Sequence, residues 1–271
     1  MEPVHRKRHY GRRKGWKLRP HQAQLVETLL PKLTLVPKAG LDPREYFDRD
    51  VDDVWLEVGF GAGEHLAWQA EHNPGVGIIG AEPFVAGMAK LLSKIAAPSA
   101  SLRSAPPPVG GERNTQYLSS PVGGGPAEGR GGGLSNIRIY PEDATDVIDA
   151  LPDASLGRVF VLFPDPWPKT RHHKRRFLQT ALLDELARVM RSGAELRFAT
   201  DDNGYLVWAL ERFMAHPAFV WTAQSPAGWR ARPPDWPETR YEQKALHGKP
   251  VYLRFIRRSP FPPQSRASIG A

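Results

Sequence analysis

The stretch that decides the fold reads Val54-Trp55-Leu56-Glu57-Val58-Gly59-Phe60-Gly61-Ala62-Gly63. A short, largely apolar run ending next to a carboxylate passes straight into three glycines at alternate positions. Such a run, bounded by turn residues, reads as a buried strand. Glycines permit positive φ and let a ligand approach the backbone. Residues 64–72 follow with a helical pattern, so the segment is strand, glycine turn, helix.

Working outward, the same alternation repeats. Strands are expected at 76–81, 137–140, 158–163, 195–199, 219–222 and 251–256. Helices are expected at 21–33, 84–95, 144–151, 175–190 and 203–215, the 175–190 one carrying Phe177, Leu178, Leu182, Leu183, Leu186 and Val189 at helical spacing. Strands alternating with helices imply parallel βαβ units with right-handed crossovers. No clear helix separates the last two strands, so an antiparallel C-terminal edge is expected. The fold class is α/β: a Rossmann-like, mostly parallel seven-stranded sheet with helices on both faces. No internal repeat is visible.

The chain has 271 residues and a formal net charge of +8. Residues 1–20 hold eight Lys or Arg and one acid, so they contribute +7 and leave about +1 for the remainder. A near-neutral body with a basic, disordered arm suggests a polyanionic partner. Residues 97–136 contain nine Gly and six Pro with few large apolar side chains. Such a stretch buries too little surface to offset its chain entropy and is expected to be a flexible insertion. The tail 259–271 is expected to be disordered for the same reason, which leaves 21–258 as the folded domain. There is no cysteine, which excludes a disulfide scaffold, a thiolate nucleophile and Cys-ligated metal sites. No apolar run is long enough to span a bilayer, and the basic start lacks the apolar segment of a secretory signal, so a cytoplasmic protein is expected. Oligomeric state stays open between monomer and homodimer.

The glycine turn carries a chemical preference. The dinucleotide fingerprint is G-x-G-x-x-G, whereas Gly59, Gly61 and Gly63 read G-x-G-x-G, and Glu57 lies at the strand end. A carboxylate there repels a pyrophosphate and attracts an ammonium or sulfonium, which favours S-adenosylmethionine over a nicotinamide cofactor. Glu82 ends the second strand, where a carboxylate can accept ribose hydroxyl protons. Asp143 ends the third and is read either as an adenine contact or as a helix cap before Ala144-Thr145.

The fourth strand runs into Pro164-Asp165-Pro166-Trp167-Pro168-Lys169 and then Thr170-Arg171-His172-His173-Lys174-Arg175-Arg176. Prolines fix φ and exclude helix, so Asp165 is held in a stiff turn at the sheet edge. Trp167 offers a stacking face, and Lys169 with the basic run offers phosphate contacts. Adjacent histidines diverge and no acid sits at ligand spacing, so no metal site is expected. At Thr200-Asp201-Asp202-Asn203, Thr200 or Asp201 is expected to cap the next helix while the other carboxylate faces the cleft. Thr239-Arg240-Tyr241-Glu242 is read as a loop able to bind a guanine edge, with Glu242 accepting its N1–H and amino protons, or else as a packed surface loop.

Taken together, LEVGFGAGEH, AEP, FPDPWPKTRHHKRR, FATDD and TRYEQKALHGKPVYLRF resemble the bacterial tRNA (guanine-N7-)-methyltransferase family. The resemblance covers roughly residues 51–257 apart from the insertion, and the proline-rich loop and the T-x-Y-E segment are its most specific parts. It implies a class I methyltransferase fold, S-adenosylmethionine as methyl donor, and guanosine 46 in the variable loop of tRNA as acceptor. It further implies donor contacts at Glu57, Gly59, Gly61, Gly63, Glu82, Asp143 and Ala144, and a catalytic acid at Asp165, also near the donor. Substrate contacts are implied at Lys169, Asp201, Thr239, Arg240, Tyr241 and Glu242. Rival readings are a methyltransferase for protein or small molecules, an RNA-binding protein with a worn donor site, and, last, a nicotinamide enzyme. The T-x-Y-E loop and basic arm weigh against the first, and the intact glycine turn and acids against the second.

Overall fold

The computed structural model describes residues 15, 17–97, 135–244 and 248–259. Nearly all of the expected arm, insertion and tail lies outside these residues.

The chain builds β1 (Asp53–Val58), α3 (Glu64–His72), β2 (Val76–Ala81), α4 (Val85–Ile95) and β3 (Ile137–Tyr140), preceded by α1 (Pro20–Thr28) and α2 (Leu30–Leu33). It continues through α5 (Ala144–Ala150), β4 (Leu156–Leu162), α6 (Thr180–Val189), β5 (Met190–Thr200), α7 (Asn203–Ala215) and β6 (Phe219–Trp221), then α8 (Ala227–Arg230), α9 (Arg240–Lys244) and β7 (Val251–Arg257). The seven strands lie in the order β3-β2-β1-β4-β5-β7-β6. β3, β2, β1, β4 and β5 pair in parallel, and β7 pairs antiparallel with β5 and β6. Strand order reverses between β1 and β4, and in open α/β sheets the crevice at that switch holds the ligand.

Alternation along the strands sends neighbouring residues into different cores. Leu56, Val159, Val161, Leu196 and Phe198 pack with α5, α6 and α7. Trp55, Ile78, Ile137 and Phe160 pack with α3 and α4 on the opposite face. α1 lies against α4.

Three expectations change at their edges. The helix expected over 21–33 divides at Leu29 into α1 and α2, because Pro31 has no N–H to continue the ladder. The helix expected over 175–190 starts only at Thr180: residues Thr170–Arg175 form a 3-10 turn, and the following segment is extended. Arg176 is held there by its Nε donating to the Pro166 carbonyl at 2.7 Å and its Nη1 to the Gly204 carbonyl at 3.2 Å. At its other end β5 begins at Met190 rather than at 195, with Gly193 at φ 80° accommodating an irregular pairing with β4.

Candidate active site at the switch between β1 and β4

The glycine turn takes the geometry its composition requires. Gly59 and Gly61 have φ of 66° and 55°, and a Cβ on either would meet nothing within 4 Å. That open backbone is a surface a ligand can approach. Glu82 braces the turn from the end of β2: one oxygen accepts the Gly61 N–H at 2.7 Å and the other the Phe84 N–H at 2.9 Å. Each oxygen keeps a second lone pair for a ligand hydroxyl. Burial raises the Glu82 pKa, the two backbone N–H groups lower it, and the charges of Asp165 and Glu57 raise it further. Three carboxylates thus converge on one region with no cation among these causes.

Val58, Gly59, Glu82, Phe163, Asp165 and Phe177 line a cavity of about 270 Å³ here. Asp165 is exposed at its rim. The loop carrying it is strained on both sides: Phe163 has φ 49° and Trp167 φ 44°. Bulky side chains avoid positive φ, and such strain gathers at functional sites. Prolines 164, 166 and 168 and the buried Arg176 clamp hold the loop in that shape.

Glu57 itself is buried, and its Oε2 lies 2.7 Å from His65 Nδ1 on α3. The sequence reading missed His65. Asp143 acts as the cap of α5, its Oδ1 accepting from the Thr145 N–H at 3.0 Å and hydroxyl at 2.9 Å. With Ala144 it stands at the start of α5.

The basic run divides into two parts. Lys169, Arg171 and Lys174 are exposed, while Arg176 is buried and structural. Partial burial and the charges of Arg175, Arg171, Lys169 and Lys174 hold the His172 pKa below its usual range, which reports a dense positive field. Trp167 is not an open stacking platform: Arg175 lies 4.9 Å from its ring centre and His172 meets it edge-on at 5.8 Å.

At the end of β5, Asp202 rather than Thr200 or Asp201 caps α7, accepting the Tyr205 N–H at 2.7 Å. Thr200 Oγ1 instead accepts the Asp202 N–H at 3.1 Å. Asp201 receives the Tyr241 hydroxyl at 3.4 Å. Tyr241 also packs against Phe163 at 5.0 Å, so the loop 239–242 reaches the strand end that carries Asp165.

Within that loop the expectation for Glu242 changes. Its Oε2 accepts the Thr239 N–H at 2.8 Å and hydroxyl at 2.9 Å, while Thr239 Oγ1 takes the Glu242 N–H at 3.3 Å. This reciprocal arrangement is a capping box at the start of α9. Oε1 accepts the Tyr252 hydroxyl at 2.5 Å and faces Arg232 at 3.4 Å. Both residues are buried and partnered, so the open side chains of the loop are Arg240, exposed, and Tyr241, half-buried.

A Rossmann-like sheet, an open glycine turn and three acids converging beside it define a methyltransferase-type site. A family model for methyltransferases, Methyltransf_4, matches residues 52–253. A tRNA (guanine-N(7)-)-methyltransferase of Rhodospirillum rubrum is 48% identical over 95% of this chain and 90% of its own length. One of Paramagnetospirillum magneticum is 45% identical over 94% of each. The chain belongs to the tRNA (guanine-N7-)-methyltransferase family. Among solved structures, the 16S rRNA methyltransferase KamB covers 77% of this chain and 89% of its own, at 17% identity and a TM-score of 0.46.

Proposed function

We propose that the protein transfers a methyl group from S-adenosylmethionine to N7 of guanosine 46 in the variable loop of tRNA. The observation that carries the reading is that Glu82 and Asp165 line one cavity beside the open glycine turn, with the buried Glu57 close enough for its charge to act on Glu82. A cluster of acids fits a ligand bearing an ammonium and a sulfonium. Glu57 would face the ammonium end, Glu82 the ribose hydroxyls, and Asp143 with Ala144 the adenine side. When bound, the donor supplies an electrophilic methyl group.

The acceptor chemistry asks little of the protein. Guanine N7 has a lone pair and no proton, so no general base is required. The residues then act by positioning and by electrostatics. Asp165, fixed between two strained residues, holds the base or stabilises the positive charge that develops on it. Tyr241, packed on Phe163, offers an aromatic face near that carboxylate, the adjoining exposed Arg240 offers a cation, and Asp201 holds the Tyr241 hydroxyl. Thr239 and Glu242 shape this loop from inside. Lys169, Arg171 and Lys174 would take tRNA phosphates, as would the arm, so affinity should fall steeply with salt. Among the described residues no helix is long and apolar enough to cross a membrane. A tRNA substrate fits a reaction in the cytoplasm.

The test is incubation with methyl-labelled S-adenosylmethionine and bulk tRNA, followed by chemical cleavage at N7-methylguanosine. Label at the variable-loop guanosine supports the proposal. Donor binding with no label in tRNA rejects it.

A further inference from the structure

The proposed site uses Glu57 but leaves its buried partners on α3 without a role. His65 and Gln69 stand four residues apart and so share one helix face, with exposures of 2% and 1%. His65 Nδ1 lies 2.7 Å from Glu57 Oε2, and Gln69 Nε2 lies 3.2 Å from His65 Nε2. The same Gln69 nitrogen donates to the Asp235 carbonyl at 2.7 Å, while Gln69 Oε1 accepts from Asn73 at 3.2 Å. An ionised carboxylate only accepts, and an amide nitrogen only donates. The proton therefore sits on His65 Nδ1, and Nε2 is the acceptor. Phe160 at 4.6 Å and Trp236 at 5.0 Å wall the ring in place.

The far end of this chain belongs to the acceptor side. Asp235 precedes Trp236, which packs edge-on against Tyr252 at 5.3 Å. Tyr252 in turn holds Glu242 of the capping box. One hydrogen-bonded and packed path thus runs from the donor carboxylate to the loop carrying Tyr241.

We infer that His65 is the positioning residue for Glu57, holding one carboxylate oxygen so that the other faces the donor. Gln69 selects the His65 tautomer and docks residues 235–236 against the donor half of the sheet. The inference rests on the reading that Glu57 contacts the donor. Its signature is a split: loss of the His65 donor weakens donor binding and leaves tRNA binding in the absence of donor unchanged. Loss of Gln69 disturbs the acceptor loop first.

The experiment combines ¹⁵N-histidine NMR of the ligand-free protein with calorimetric titration of S-adenosylhomocysteine into wild type, Glu57→Gln, His65→Leu, His65→Asn and His65→Gln. Asparagine places an N–H near the Nδ1 position, whereas leucine does not and glutamine places its amide near Nε2. The NMR should show the Nδ1–H tautomer. His65→Leu and His65→Gln should weaken binding about tenfold or more and His65→Asn by less than about threefold. Donor-free tRNA affinity should change less than about twofold in the three His65 variants. An Nε2–H tautomer, or Asn, Gln and Leu variants that all bind alike, overturns the inference. If His65→Leu does not fold, the Asn and Gln comparison decides. Glu57→Gln binding as wild type would overturn the underlying donor reading. Weak Glu57→Gln with normal His65→Leu would overturn the positioning role alone.

Discussion

Tyr252 on β7 donates its hydroxyl to Glu242 at 2.5 Å, and the other oxygen of that carboxylate holds the backbone and hydroxyl of Thr239. The last strand therefore fastens the loop that reaches the strand ends. Glu242→Ala removes the capping box and leaves the Tyr252 hydroxyl buried without its acceptor. The expected loss is about 2–4 kcal/mol of stability. Denaturant unfolding should show it together with weakened tRNA binding and a donor affinity close to wild type. A variant as stable as wild type but unable to bind tRNA would return Glu242 to direct guanine recognition.

Tyr241 should behave oppositely. Burial first, then the charge of Asp201 and the hydrogen bond to it, push its pKa up to about 12. A phenol that holds its proton more tightly folded than unfolded contributes stability below its ordinary pKa near 10, and loses it as pH rises through about 12. Difference spectroscopy at alkaline pH should show the folded wild type with one more tyrosine titrating near 12 than folded Tyr241→Phe, and no more titrating near 10. Tyr241→Phe keeps the ring against Phe163, so its stability loss should stay under about 1 kcal/mol, with the larger effect on turnover.

The fold was legible because its strands are short apolar runs that end in glycine, acid or proline. Among the elements whose bounds moved, the helix expected over 175–190 was misread for a physical reason. Phe177 and Leu178 fit a helical stripe, yet an extended segment buries them equally well once Arg176 is tied to Pro166 and Gly204. Periodicity cannot see that tie, which links residues far apart in sequence. The site was half legible. Acids at strand ends follow from topology, so Glu57, Glu82 and Asp165 stood out. T-x-x-E is also a capping signature, and only the tertiary partner Tyr252 shows which reading holds for Glu242. His65 and Gln69 carried the weaker signal of two polar residues four apart on an otherwise apolar helix face.

Glu82 supplies a pH test of the donor site. Its pKa is raised, by burial first and then by Asp165 and Glu57 against the lowering from Gly61 and Phe84. A carboxyl with a raised folded pKa contributes stability below its ordinary value and loses it as pH climbs through the folded one. Once ionised, Glu82 carries an unfavourable charge in the ligand-free protein that a cationic ligand relieves. The thermal shift on adding S-adenosylmethionine should grow as pH rises from about 4 to about 7. Glu82→Ala should flatten that growth; an unchanged slope in the variant would remove Glu82 from the donor site.

Gly87 on α4 was not singled out in the sequence, yet a Cβ there would sit 2.2 Å from the Gly61 carbonyl oxygen. The helix can approach the turn only because the side chain is absent. Gly87→Ala must push α4 from the turn, with an expected loss of about 1–3 kcal/mol despite alanine's better helix propensity. Donor affinity should fall alongside, because the displaced carbonyl belongs to the open backbone. Calorimetry and denaturant unfolding check the pair, and a more stable variant with normal donor binding would contradict the close packing.

Asp165 is the sharpest test of the chemistry. It is exposed at the cavity rim, so Asp165→Ala removes no buried partner and should leave stability within about 0.5 kcal/mol of wild type. Its charge lies close enough to perturb Glu82, so removing it should also lower the Glu82 pKa. Methyl transfer should fall by about a hundredfold or more, since a fixed carboxylate opposite a developing cation is an electrostatic contribution of that order. Asp165→Asn separates the two ways the carboxylate can act. Holding the base through its amino protons survives partly in the amide oxygen, whereas stabilising charge does not. Single-turnover rates with saturating donor and tRNA measure the difference: an Asn variant near wild type assigns Asp165 to orientation, and one as slow as alanine assigns it to charge.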